Sequence, residues 1–311
     1  MSSNILNEYN KAKLNLINKY VKYSKNLARA RTNPDTFISI NEFLSDKPSH
    51  GPNASKGDIN YFYMDYENIN NFIKILMNDI EFDKILCLSE MTIKYKDYIN
   101  RNSFGYNFDK DHIIIPVDAL DEIQNCKNKR FVYINFIIFW EKFDYGHANM
   151  LLIDNYNKTI ERFEPYGKSI GKNSKSNLSQ KIDKKFNKNL LNRLKLNGYK
   201  YISPIKLSPN IGIQSKADAY DGMCVTYCII YLQLRLMNPD IDQKIVIKYL
   251  LSKTRNEIIG IILKYARYIE ESLKDNSYII NREMRKLYYD DYNIVKDYII
   301  VTNNDQKFVS Y

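Results

Sequence analysis

Two stretches of this chain hold the parts that nucleophilic acyl transfer needs: a base, a carboxylate to orient it, and a sulfur able to ionise. Residues 143–167, FDYGHANMLLIDNYNKTIERFEPYG, read as two short strands around a polar turn. His147 opens the first strand and Glu164 closes the second, so hairpin pairing sets an imidazole beside a carboxylate. Residues 211–236, IGIQSKADAYDGMCVTYCIIYLQLRL, read as a polar loop that enters an apolar helix at Cys224. A thiol at a helix N-terminus faces unpaired N–H groups and the positive end of the dipole, and both favour the thiolate. Gln214 adds an amide in the loop. Cys228 lies one turn further along a helix that is apolar almost all round, where inert thiols are the common case. The two cysteines lack the further Cys or His ligands that a metal site requires. Singly, none of these residues decides anything, because a lone His is usually structural and a Glu at a strand end is usually just exposed.

The elements that must position these side chains follow from periodicity. Strands are expected at 112–117, 131–140, 147–154, 158–164 and 199–206. FVYINFIIFW (131–140) is a continuous apolar run of the kind buried on both faces at the centre of a sheet. Ile69, Phe72, Ile73 and Ile75 mark a helix within 61–80, and 81–130 reads as helical pieces around the 112–117 strand. In 168–197 a Ser/Asn/Lys-rich loop precedes a basic helix with Leu178, Ile182, Phe186, Leu190 and Leu194 about four apart. A loop over 207–222 leads to the Cys224 helix, which Asn238-Pro239 ends. Residues 241–311 read as helices and a polar tail, and 4–30 as a basic amphipathic helix. The Pro, Gly, Ser and Asn content of 33–60 suggests a linker or long surface loop, with His50 facing solvent. The expected fold class is α+β: a central mixed sheet packed on a buried helix that carries the Cys, with helical N- and C-terminal extensions. The division that follows is an extension at 1–60, a main domain at 61–240 and a helical extension at 241–311.

The chain has 311 residues, 44% of them apolar, which is enough for a real core. Its formal charge of +10 favours an acidic partner: nucleic acid, an anionic surface or an acidic protein. Solubilising lysines on helix faces are the commoner account of any single basic run. RNA-binding aromatic signatures, zinc-finger spacings and basic-zipper heptads are missing, so sequence-specific nucleic-acid reading is not indicated. Four cysteines do not make a disulfide framework, which argues for a reducing compartment. The first residues, MSSNILNEYNKAKLNLINKY, lack an apolar signal core, and the apolar runs are too short to span a bilayer. A soluble, intracellular protein is expected, with no membrane partner.

In joint order and spacing, these residues resemble the adenovirus-protease and SUMO-protease superfamily of cysteine peptidases. Its triad runs His, Asp or Glu, Cys, with an oxyanion-hole Gln upstream of the Cys. The family's His-to-acid separation is the one found here, 17 residues (164 − 147). Phe163-Glu164-Pro165-Tyr166-Gly167 matches the form in the adenovirus enzyme, which also uses Glu. Cys224 follows Gly222-Met223 and opens a long apolar helix, as the family nucleophile does. His147-Ala148-Asn149 and Arg235-Leu236-Met237-Asn238-Pro239-Asp240 are similar to segments that recur in members from large DNA viruses. The likeness covers 61–240, most strongly 131–240. Two positions depart from it. Many members have Trp after the His where this chain has Ala148, so either another aromatic braces the ring or the ring is less constrained. The family's Gln also lies closer to the Cys than Gln214, which is ten residues away (224 − 214), so the loop must bulge.

The resemblance implies a papain-like α+β fold and a catalytic set of His147, Glu164, Cys224 and Gln214, with no cofactor. It implies a thiol endopeptidase that cuts after small residues at Gly-x sites, in a viral structural precursor or a ubiquitin-like modifier, with non-specific DNA a possible further partner. The host cytoplasm or the virion would be its place of work. The alternatives are an acetyltransferase built on the same triad, or a catalytically inactive module that binds nucleic acid through its basic surface.

Overall fold

The computed structural model describes residues 37–50, 66–77, 80–89, 91–95, 98–140, 145–167, 178–186, 188–208, 211–217, 223–275, 298–301 and 306–309. The helix expected over 4–30, the Ser/Asn/Lys-rich loop at 168–177 and most of the expected C-terminal helix over 282–301 lie outside them.

The fold is mixed α+β. The strands are β1 (Leu86–Leu88), β2 (Thr92–Tyr95), β3 (Tyr98–Arg101), β4 (Ser103–Asn107), β5 (His112–Pro116), β6 (Phe131–Trp140), β7 (Tyr145–Asp154), β8 (Thr159–Phe163), β9 (Lys200–Ile202), β10 (Tyr298–Val301) and β11 (Gln306–Val309). The helices are α1 (Ile40–Phe43), α2 (Tyr66–Met77), α3 (Ile80–Asp83), α4 (Ala119–Asn125), α5 (Leu178–Lys185), α6 (Lys188–Arg193), α7 (Pro204–Leu207), α8 (Ile213–Ala217), α9 (Cys224–Met237), α10 (Gln243–Ser252) and α11 (Arg255–Asp275).

One sheet runs in the order β11-β10-β5-β4-β6-β7-β8-β9, with β1 also on β6, while β2 and β3 form a separate ribbon. β6 is its spine. One edge pairs antiparallel with β7 along its whole length, and the other is shared by β4 and β1, both parallel to it. Alternate side chains of β6 enter different cores, as a strand buried on both faces requires. Phe131 and Tyr133 face the core shared with α9, whereas Val132, Ile134, Phe136 and Ile138 face the core shared with α4, α5 and α6. Leu178, Ile182, Phe186, Leu190 and Leu194 all enter that second core, but from two short helices rather than one.

Every side chain of α9 is buried. Its C-terminal turn is a fastening point. Asn238 Nδ2 donates to the carbonyls of Leu234 and Ile38, and Asn238 Oδ1 accepts from the Ile38 N–H at 2.7 Å. Arg235, 1% exposed, donates to both oxygens of Glu161 on β8, at 3.2 and 3.0 Å. Asp240 takes Arg130 at 2.5 Å. The Arg-Leu-Met-Asn-Pro-Asp segment therefore locks the Cys224 helix to the sheet and to the chain before α1.

Several expectations need correction. Residues 199–206 are not one strand: β9 stops at Ile202, and Pro204 at the first helical position starts α7. The 207–222 loop contains a helical turn, α8. The described residues of 81–130 hold five strands, most of them too short to show a period, and the helical reading near 300 gives way to β10, whose Tyr-Ile-Ile-Val run suits a strand and pairs with β5. Residues 37–50 are not a surface loop, because Ile38, Ile40 and Leu44 are in the core. His50 is not solvent-facing: its ring is 11% exposed and lies 3.3 Å from Glu270 on α11. Finally, Cys87 and Cys126 form a disulfide across 39 residues, β1 and α4 having brought their Cα atoms to 5.7 Å. Cys224 and Cys228 are free.

Among the described residues no helix is long and apolar enough to cross a membrane.

Candidate functional site

The β7–β8 hairpin expected from the sequence forms, with Asp154 opposite Thr159 and Met150 opposite Phe163. Asp154 Oδ1 accepts the N–H groups of Tyr156 and Asn157, which makes the turn. His147 and Glu164, just beyond the last paired rung, meet diagonally. His147 Nε2 lies 2.6 Å from Glu164 Oε1, with both side chains at most 1% exposed. The same oxygen accepts the Tyr166 N–H at 2.9 Å, so the carboxylate is fixed from two sides.

Cys224 is the first residue of α9, behind Met223, a helix start with no capping side-chain hydrogen bond. The dipole and the free first-turn N–H groups therefore act on the sulfur. Cys224 Sγ accepts the Ala148 N–H at 3.4 Å, which ties it to the strand bearing His147. His147 Nδ1 is buried and makes no well-aligned hydrogen bond among the described residues. The ring and the sulfur lie near enough that each shifts the other's titration.

For His147, burial acts to lower the pKa, but the Glu164 charge and the hydrogen bonds with Cys224 and Glu164 win and push it up to about 10. For Cys224, burial acts to raise the pKa, but the His147 hydrogen bond and charge and the Ala148 N–H bring it below the ordinary thiol value. Both shifts favour one state, imidazolium beside thiolate. Cys228 is the contrast: burial pushes its thiol well above the ordinary value, and its Sγ lies 3.8 Å from the Ala148 carbonyl. One turn of helix separates a sulfur whose titration favours the thiolate from one whose titration favours the thiol.

Gln214 sits on α8, 4% exposed. Its backbone N–H donates to the Pro165 carbonyl at 3.0 Å and its Nε2 donates to the Tyr166 hydroxyl at 3.2 Å, so the loop does bring the amide to the Glu164 side of the cluster. The approach depends on two glycines. A Cβ on Gly212 would lie 2.1 Å from the Pro165 oxygen, and one on Gly167 would lie 2.5 Å from the Gly212 nitrogen, with Gly167 also at φ +76. Residues 218–222, between Gln214 and Cys224, are outside the described residues.

Three neighbours were not singled out from the sequence. The Tyr166 ring packs on His147 with centroids 5.0 Å apart, in the bracing place left open by Ala148. Asn149 and Arg162 form a second diagonal pair on the rung next to His147 and Glu164, with Arg162 Nη1 2.8 Å from Asn149 Oδ1. Arg162 is fully buried and also donates to Tyr201, Asp183 and the Ser179 carbonyl. Burial opposes its charge, while Tyr201, Asp183 and Glu164 around it keep it firmly protonated. The signal was there in the period-2 pairs His147-x-Asn149 and Arg162-x-Glu164, which put each pair on one face of its strand.

Comparisons with protein families, curated proteins and solved structures give no match for this chain. The likeness to cysteine peptidases thus rests on the residues quoted from the sequence. Among the described residues no group of three or more His, Cys, Asp or Glu is arranged to hold a metal ion.

Proposed function

We propose that the chain is a cysteine peptidase of the adenovirus-protease and SUMO-protease type, with a papain-like arrangement of helix and sheet. The observation that carries this reading is the convergence of Cys224 at a helix start, His147 and Glu164 into one buried chain of contacts whose titration favours a thiolate–imidazolium pair. A merely structural trio gains nothing from such charge separation, because burying charges is costly.

In this mechanism the Cys224 thiolate attacks the carbonyl carbon of the scissile peptide. A C–S bond forms and the carbonyl electron pair moves onto oxygen. The Cys224 N–H and the Gln214 amide stabilise that oxyanion, and one such donor contributes roughly 3–4 kcal/mol in comparable enzymes. The His147 imidazolium protonates the leaving nitrogen as the C–N bond breaks. Neutral His147 then takes a proton from water, which attacks the thioester and releases the acid and the thiolate. Glu164 holds the Nε2 proton throughout and so fixes the tautomer that leaves Nδ1 for the sulfur.

The substrates proposed are proteins with a small residue, glycine above all, before the cut: a viral precursor or the tail of a ubiquitin-like modifier. The test is release of aminomethylcoumarin from a Gly-Gly conjugate by the purified chain. The reading expects turnover that vanishes in Cys224→Ala and in His147→Ala and survives in Cys228→Ala. Turnover that survives Cys224→Ala, or none at all alongside an unreactive Cys224, would overturn it.

A further inference from the structure

Tyr166 touches three of the four proposed catalytic groups, each with a different part of itself. Its ring lies on His147 at 5.0 Å between centroids and 36° between planes. Its N–H donates to Glu164 Oε1 at 2.9 Å. Its hydroxyl accepts from Gln214 Nε2 at 3.2 Å. Its carbonyl accepts from the Gly212 N–H at 2.9 Å and from the Ser215 hydroxyl at 3.2 Å, which holds the whole Gln214 segment against residue 166. With Gly167 and Gly212 in backbone contact alongside, that segment has little room to slide.

The hydroxyl contact is the informative one. A primary amide nitrogen carries two hydrogens in a fixed plane. The Tyr166 oxygen takes one of them, which sets the plane of the Gln214 amide and the direction of the second. Gln214 Oε1 is buried without a hydrogen-bond partner among the described residues, so Tyr166 is the side-chain contact that orients this amide.

We propose that Tyr166 is a positioning residue that couples the base to the oxyanion donor: its ring braces His147 while its hydroxyl sets the orientation of the Gln214 amide. The inference rests on the peptidase reading above and deepens it, since it predicts that one hydroxyl affects acyl chemistry apart from thiol ionisation.

Two probes of the same sulfur separate these effects in the full chain. With p-nitrophenyl acetate the thiolate bonds to the carbonyl carbon, the carbonyl pair becomes an oxyanion, and its collapse expels p-nitrophenolate. With iodoacetamide the thiolate displaces iodide at a saturated carbon, and no oxyanion forms. Tyr166→Phe deletes only the hydroxyl. It is expected to lower the ratio of acylation to alkylation rates at Cys224 by about tenfold, less than the roughly 10²–10³ for losing an oxyanion donor outright. Gln214→Ala lowers the ratio at least as far, and the double variant goes no lower than Gln214→Ala alone, because both changes act through one amide. A wild-type ratio in Tyr166→Phe, or full additivity in the double variant, overturns the proposal. A wild-type Cys224 that alkylates no faster at neutral pH than free cysteine overturns the peptidase reading itself, and this inference falls with it.

Discussion

Replacing Glu164 by Gln keeps the shape and an oxygen for His147 Nε2 but removes the charge on which the site's electrostatics turn. His147 rises from 6.5 to about 10 against the opposing effect of burial, and the Glu164 charge is the largest favourable cause. That rise corresponds to about 5 kcal/mol of preference for imidazolium, at about 1.4 kcal/mol per pH unit. Without the carboxylate, only the weaker influence of Cys224 opposes burial, the ring moves toward the neutral form, and Cys224 loses much of the cation that lowers its own titration. The sign follows from both shifts. A depressed thiol pKa supplies thiolate from below the ordinary thiol range upward, a raised imidazole pKa keeps the ring charged until about 10, and the ion pair occupies the window between them. Iodoacetamide alkylation of Cys224 as a function of pH reads this window directly. The wild-type rise in reactivity should fall below the ordinary thiol range, whereas in Glu164→Gln it should move to that range or above. A thiol titrating near 9 is about 1% ionised at pH 7, so the rate there should fall by up to ~100-fold. A Glu164→Gln profile that superimposes on the wild type would refute the reasoning.

Three further outcomes follow from the packing. Arg162→Met leaves Asn149 and the largely buried Asp183 without their cationic donor, and should cost about 3–5 kcal/mol of stability in denaturant melts, with Tyr201→Phe much milder. Gly212→Ala drives a methyl into the Pro165 oxygen and should both lower the melting temperature and slow Cys224 alkylation, because the residues displaced carry Glu164 and Tyr166. Cys87→Ser opens a loop of 39 residues, for which chain entropy gives a loss of about 4 kcal/mol, and a reductant should destabilise the wild type but not the variant.

The legible parts of this fold were those with a local signal. The apolar run of β6, the turn at 154–158, the four-residue spacing from Leu178 to Leu194 and the Asn-Pro stop after Met237 each declare themselves within a few residues. So did the diagonal meeting of His147 and Glu164, because a hairpin's register follows from its own turn. What escaped depends on distant partners. β1 and β9 are three residues long and exist because β6 and β8 offer an edge. His50 finds Glu270, and Cys87 finds Cys126, only after the sheet has formed. Tyr166 as the brace for His147, and Arg162 as the buried cation beneath Glu164, needed the crossing of the 164–167 and 211–214 segments, which rests on two glycines far apart in sequence.

The most direct measurement is the ultraviolet thiolate absorbance of the wild-type chain minus that of Cys224→Ala, followed from acid to alkaline pH. The account predicts a thiolate signal that rises below the ordinary thiol range, carried by one sulfur, and that moves up to that range or above in His147→Ala. A signal that emerges only at or above the ordinary thiol range in the wild type, unchanged by His147→Ala, would contradict it.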